Sequence, residues 1–367
     1  MVVTAPAVDR TLDGGIVGTL PDGAQRRETH FRSGEEELVG DLVLPAGDGP
    51  FPALLTVAGT GPQNRYGDLV LADSTVQHHG RHRWVGNRLA AAGIAQLCWD
   101  KRGVQASTGG DRQPYDPPGD RDAHASVETD VADLLAALEH LAAQPEVDAE
   151  RIVVMGTSAG AHFTCRAAER TDVPAGYALW GGVQQSIIDF GDYIYGLSVS
   201  FAARGPEERA LVEEAKPGML AEAEHRPAQL AAARRGEAVY HWGDEEGEEQ
   251  VRYLQRTIDE ITNAYPEQFA HVQSPVLVVH GDRDINVPVQ QAHDSAAALR
   301  AAGNPDVTLA IVRGADHGMH VVADSVDEGQ HLRNWFAGTG RGPYSELFIN
   351  TVVGWMRDLW VRLDLEG

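Results

Sequence analysis

Three residues spread along this chain could together carry out acyl transfer. The first is Ser158, in Gly156-Thr157-Ser158-Ala159-Gly160. An apolar run, Arg151-Ile152-Val153-Val154-Met155, precedes it, and a helix-like stretch from Ala161 to Ala168 follows. G-x-S-x-G between a strand and a helix is a sharp, strained turn that lifts the serine hydroxyl out of the sheet. Bulky flanking residues would block such a turn, hence glycine on both sides. A serine hydroxyl alone is a weak nucleophile. It needs a base, and the base needs an orienting carboxylate. Downstream, Gly281-Asp282-Arg283-Asp284-Ile285-Asn286-Val287-Pro288 offers two candidate acids, Asp282 and Asp284. His317 then follows in Arg313-Gly314-Ala315-Asp316-His317-Gly318-Met319. The chain order is serine, acid, histidine.

The elements that must hold these residues are legible as well. Ser274 to His280 reads as a buried strand running into the two aspartates, and Val307 to Val312 as a strand ending just before the histidine loop. Site residues of α/β enzymes sit at the carboxyl ends of parallel strands. Further strands are expected at Phe51–Gly59 and Ile94–Asp100, and helices at Val85–Gly93 and Ser126–Ala143. In the second helix Val131, Leu134, Leu135, Leu138 and Leu141 form an apolar stripe. Strands alternating with helices imply a parallel sheet covered on both faces.

With these motifs the sequence resembles the α/β-hydrolases from about Glu28 to the C-terminus, and in particular a bacterial esterase and dienelactone-hydrolase-like branch. The resemblance implies an α/β-hydrolase fold with a mostly parallel central sheet and an inserted helical cap. It implies Ser158 as nucleophile and His317 as base. The family pattern G-x-x-D-x-x-V-P puts the triad acid at Asp284 rather than Asp282. It also implies an oxyanion hole built from the backbone N–H of Ala159 and that of Thr60, with Gly59 or Gly61 as near alternatives to Thr60. The loop Gly59-Thr60-Gly61-Pro62-Gln63-Asn64-Arg65-Tyr66 is similar to the branch's G-S-G-P-x-D-R-D, with Thr60, Asn64 and Tyr66 departing from it. Asp100-Lys101-Arg102-Gly103 resembles its D-x-R-G turn, and Arg102 is expected to brace the oxyanion loop.

The hydrophobic share of 43% across 367 residues suffices for one large domain with an insertion. The expected organisation is an N-terminal arm over 1–27, a hydrolase core over 28–183 and 273–367, and a cap over 184–272. The cap is expected to carry helices at Glu207–Lys216, Leu220–Gly236 and Glu248–Ala264. A second insertion, Glu328–Ser345, could wall the pocket. Asp189, Tyr193 and Tyr195 could contact substrate or serve in packing and caps.

The net charge of −24, from 30 basic and 54 acidic residues, argues against nucleic acid or an anionic membrane as a partner. No apolar run reaches the length of a membrane span, and the first ten residues lack the pattern of a secretory signal. Cys98 and Cys165 read as two buried thiols in a reducing compartment. A cytoplasmic enzyme is therefore expected, with homodimerisation possible as in many such folds. The histidines of Gln77-His78-His79-Gly80-Arg81-His82 lack an acid or cysteine at a recognisable metal-binding spacing, and Arg81 would repel a cation. They read as a polar surface loop, so no metal and no cofactor is expected.

The expected reaction is hydrolysis of a small-molecule carboxylic ester or lactone through an acyl-enzyme. A thioesterase, acyltransferase, peptidase or carbon–carbon hydrolase would use the same triad. A non-catalytic binding module commonly lacks a triad member, and here none is missing.

Overall fold

In the computed structural model the described residues are 17–70, 76–108, 126–185, 187–216, 218–243, 249–262 and 265–366. The chain opens with an antiparallel pair, β1 (Gln25–Ser33) and β2 (Glu36–Leu44). β1 begins three residues before residue 28, where the hydrolase core is expected to start. Of the anticipated N-terminal arm, residues 1–16 lie outside the described residues, and Val17 is buried against Gly80. The remaining strands of the main sheet are β3 (Phe51–Val57), β4 (Ala95–Trp99), β5 (Val147–Thr157), β6 (Gly176–Trp180), β7 (Val276–Gly281) and β8 (Val307–Val312). Their order is β1-β2-β4-β3-β5-β6-β7-β8. From β4 to β8 every neighbouring pair is parallel, and only β1–β2 and β2–β4 are antiparallel.

Parallel strands require crossovers, and the helices supply them. α1 (Arg81–Ala91) precedes β4, α2 (Val127–Ala142) precedes β5, and α3 (Ala159–Ala167) leaves it. α2 starts at a reciprocal cap: the Ser126 hydroxyl accepts from the Thr129 N–H at 3.1 Å, and the Thr129 hydroxyl accepts from the Ser126 N–H at 3.0 Å. Its stripe of Val131, Leu134, Leu138 and Leu141 is buried on one face of the sheet. Leu135 is only partly buried at the edge of that cluster. Each fully buried residue of this kind contributes about 1.5–3 kcal/mol relative to exposure.

Residues 184–272 leave the core after β6. They form α4 (Ile187–Ala202), α5 (Pro206–Ala215), α6 (Met219–Arg234) and α7 (Gln255–Thr262). One expectation fails here. Residues 249–253 are not helical but pair as a strand with Val239–Gly243. Val251 and Tyr253 alternate with polar residues and face His241 and Val239, a two-residue period that suits a ribbon better than a helix. After β7 come α8 (Gln290–Ala301), α9 (Glu328–Ala337) and α10 (Glu346–Glu366). Phe348, Val352, Met356 and Leu359 of α10 join Trp84, Val85 and Leu89 of α1 on the second face of the sheet.

The histidine-rich stretch is also a correction. It is a packed joint rather than a free surface loop. His82 lies inside the first turn of α1 and is 1% exposed. The Asp68 carboxylate accepts both the His79 and Gly80 N–H groups at 2.7 Å, and the carbonyl of His79 accepts from the Tyr344 hydroxyl. Cys98 and Cys165 are both buried and unbridged. Among the described residues no helix is long and apolar enough to cross a membrane.

Candidate active site

Ser158 stands at the tip of β5, immediately before α3, with φ 54° and ψ −122°. A non-glycine residue at positive φ is uncommon and marks stored strain. Contacts on both sides force it. A Cβ on Gly156 would lie 2.2 Å from the Gly160 carbonyl, and one on Gly160 would lie 2.5 Å from the Val57 carbonyl. The Ser158 N–H donates to the Trp180 carbonyl at 2.8 Å, tying the turn to β6.

β7 and β8 deliver the other two residues. The His317 Nδ1–H donates to Asp284 Oδ2 at 2.7 Å. Asp284 is almost fully buried, with 1% of its side chain exposed, and its Oδ1 accepts from the Val287 N–H at 2.8 Å. Burial would raise the pKa of this carboxyl. The His317 charge and the hydrogen bonds from His280 and His317 outweigh it and bring the value down to about 2. Asp282 points elsewhere: it accepts from the Gly314 N–H at 2.6 Å and so fastens the start of the histidine loop.

Two residues that sequence reasoning missed complete this arrangement. The Nε2–H of buried His280 reaches the Val287 carbonyl at 2.8 Å and Asp284 Oδ2 at 3.2 Å, so two imidazoles share one carboxylate oxygen. Gly181, at φ 58°, lies under the His317 ring. A Cβ there would come within 3.1 Å of its Cε1. The Trp180 indole N–H also donates to the His317 carbonyl at 3.1 Å. One stretch of backbone thus touches both Ser158 and His317. Among the described residues no hydrogen bond joins the Ser158 hydroxyl to His317. Contacts of this type commonly tighten only when a substrate is bound.

The loop after β3 lies directly on the turn. A Cβ on Gly59 would sit 3.0 Å from the Ser158 Cβ and 3.6 Å from the Ala159 nitrogen. Thr60, next in the chain, is exposed, and its carbonyl accepts from the Gln63 amide at 2.8 Å. The brace of this loop differs from the expected one. Arg102 turns away and grips Asp133 through Nη2 at 2.6 Å and Nε at 3.2 Å. Lys101 does the bracing: its ammonium donates to the Gly59 carbonyl at 3.1 Å and pairs with Asp130 at 3.2 Å. Buried Asp100 helps by accepting the Arg65 N–H at 2.8 Å. Where the resembled branch has an aspartate, the Asn64 side-chain oxygen accepts the Tyr66 and Asp68 N–H groups at 2.9 and 3.0 Å. Its role in the loop is that of a turn residue.

Of the three polar residues expected near the insertion, Tyr193 donates to the Ile285 carbonyl at 2.7 Å, beside Asp284. Tyr195 donates to Glu222 at 2.7 Å within the insertion itself. The second insertion is anchored at the same place, because His331 Nε2–H donates to the Arg283 carbonyl at 2.7 Å.

Two family models match parts of the chain. Residues 64–188 match the serine aminopeptidase S33 family, and residues 232–340 match the prolyl oligopeptidase family. Esterase LipC of Mycobacterium tuberculosis is 32% identical over 100 residues, which are 23% of this chain and 24% of that protein. The match thus spans about a quarter of the curated relative's length. Among solved structures, a hypothetical protein from Pseudomonas aeruginosa superposes with a TM-score of 0.53 at 17% identity, covering 89% of this chain and 98% of that one. Est1E from Butyrivibrio proteoclasticus gives 0.51 at 14% identity, covering 91% and 99%. An esterase from Pyrococcus furiosus gives 0.51 at 16% identity, covering 80% and 83%. At these identities the likeness is one of fold.

Proposed function

We propose that this chain, an α/β-hydrolase by fold, cleaves carboxylic esters or lactones of small molecules through an acyl-enzyme on Ser158. The observation that carries this reading is Ser158 at φ 54°, held by the same Trp180-Gly181 backbone that supports His317 of the Asp284–His317 pair. His317 takes the proton from Ser158 as the hydroxyl attacks the acyl carbonyl. Asp284 fixes the imidazole tautomer and stabilises its charged form. The N–H groups of Ala159 and Thr60 receive the oxyanion, aimed where charge develops. The imidazolium then gives that proton to the departing alkoxide as the ester C–O bond breaks, and water activated by His317 hydrolyses the acyl-enzyme and releases the acid. The helical segment over 184–272 acts as a cap that shapes the acyl pocket. Its Tyr193 contact with Ile285 supports a place beside the triad.

Amide cleavage is the second reading, favoured by the peptidase families of both matching models. Turnover of 4-nitrophenyl acyl esters against acyl 4-nitroanilides separates the two. Esterase chemistry predicts ester turnover at least about 100-fold faster than anilide turnover, and loss of both by at least about 10⁴-fold in Ser158→Ala. Anilide rates equal to ester rates would favour the peptidase reading. Undiminished rates in Ser158→Ala would overturn both.

A further inference from the structure

The chain has two lysines, Lys101 and Lys216. The first is committed to Gly59 and Asp130. Lys216, the residue that ends α5, is different. Its ammonium lies over the Trp335 ring, 4.2 Å from the centroid. Among the described residues it has no carboxylate partner, and it does not donate to the last-turn carbonyls of α5, as a capping lysine would. Its surroundings are apolar. Trp335 meets Phe336 edge-on, with ring centroids 4.6 Å apart, and packs on the cluster that contains Phe201, Val212 and Leu220, on which Ile285 also packs. Burial alone lowers the Lys216 pKa, to about 8. A cation taken out of water without a counter-charge is costly, and a cation–π contact offsets only part of that cost. Carboxylates are not scarce in a chain with 54 acidic residues. Arg333 on α9 and Arg226 on α6 have theirs, in Glu208 at 2.5 Å and Asp192 at 2.6 Å.

The position of this lone cation is telling. It sits where the 184–272 segment meets α9, and both are tied to residues that flank Asp284. Tyr193 holds Ile285, and His331 holds Arg283. We propose that Lys216 anchors a carboxylate on the substrate, making the favoured substrate an ester whose acyl chain ends in a free acid. This specificity rests on the ester-hydrolase reading; the anion site itself does not. Trp335 supplies a flat apolar surface for the methylenes that precede the carboxylate.

The test uses the full chain and three hemiesters, the mono-4-nitrophenyl esters of glutarate, adipate and suberate, against neutral 4-nitrophenyl valerate. Lys216→Met keeps the apolar stem and removes the charge. The expected result is a kcat/KM loss of about 10- to 100-fold for the best hemiester, mostly in KM. Valerate turnover should change less than about twofold, and Lys216→Arg should retain part of the preference. Equal losses for hemiester and valerate, or no loss for either, would overturn the anchor. Should the wild type turn over none of these esters, the hydrolase reading falls and a second measurement decides the anchor. Trinitrobenzenesulfonate modification at pH 8, followed by peptide mass, reports Lys216 and Lys101 separately. Adipate should slow modification of Lys216 and leave Lys101 unchanged. Unchanged rates at both lysines would refute the site.

Discussion

Asp282 and Asp284 are two residues apart and chemically identical, yet their surroundings give them different work. Asp284 is buried and shared by two imidazoles, whereas Asp282 holds one backbone N–H of the histidine loop. Asp284→Asn removes the charge that orients and stabilises the imidazolium. It should lower kcat by about 10⁴-fold. Asp282→Asn weakens one hydrogen bond and should lower kcat by less than about tenfold. Steady-state kinetics on a 4-nitrophenyl ester at pH 8 compares the two. Equal losses would remove Asp284 from its assigned role. The chain alone offers both aspartates, and only the resemblance to the family pattern G-x-x-D-x-x-V-P implies Asp284. His280 was not legible as its partner, because a histidine inside an apolar strand reads as a core residue. Its contact depends on the backbone turning between residues 281 and 287. Gly181 was equally silent. Its lack of a side chain matters only because His317 arrives from more than a hundred residues downstream.

At the scale of elements, the loop after β3 illustrates how a motif can point to a bracing turn and the wrong side chain. Lys101 and Arg102 open a turn closed by the Val104 N–H on the Lys101 carbonyl. From that turn Lys101 reaches the Gly59 carbonyl and Asp130, and Arg102 reaches Asp133, one helical turn further along α2. Lys101→Met should release the Gly59 carbonyl and displace the Thr60 N–H. The expected outcome is a kcat lower by about 10- to 100-fold with little change in KM. Arg102→Met should leave kcat within about threefold and instead cost about 1–3 kcal/mol of stability. Kinetics together with urea unfolding distinguishes them. A reversed pattern would return the bracing role to Arg102. The hairpin of Val239–Gly243 and Glu249–Tyr253 shows the same limit in the insertion. Glu, Gln and Arg around residue 250 favour helix locally, but pairing with the aromatic-rich strand just upstream in the chain overrides that preference.

For the whole molecule, the sheet order and its two buried faces follow from patterning that can be read along the chain. Apolar strands alternate with helices, and the turn at Ser158 has its strand before it and its helix after it. The contacts of segments 184–272 and 328–345 with Arg283 and Ile285 did not emerge from that pattern. Ile285, Phe201 and Phe336 meet only in three dimensions. The site also marks stability against acid. Asp284 titrates near 2 in the folded chain and near 4 when unfolded, so its contribution is fully present above about pH 4. It is lost as pH falls through about 2 and amounts to about 2.5 kcal/mol. Circular dichroism at decreasing pH should show wild type losing stability relative to Asp284→Asn between about pH 4 and pH 2. Parallel curves would mean that Asp284 is not held ionised by its histidines. The central claim remains an activated Ser158, and intact-mass measurement after treatment with a fluorophosphonate tests it most directly. One phosphonyl adduct on wild type, absent from Ser158→Ala, is the predicted result. An adduct of equal yield on Ser158→Ala, or none on wild type, would contradict it.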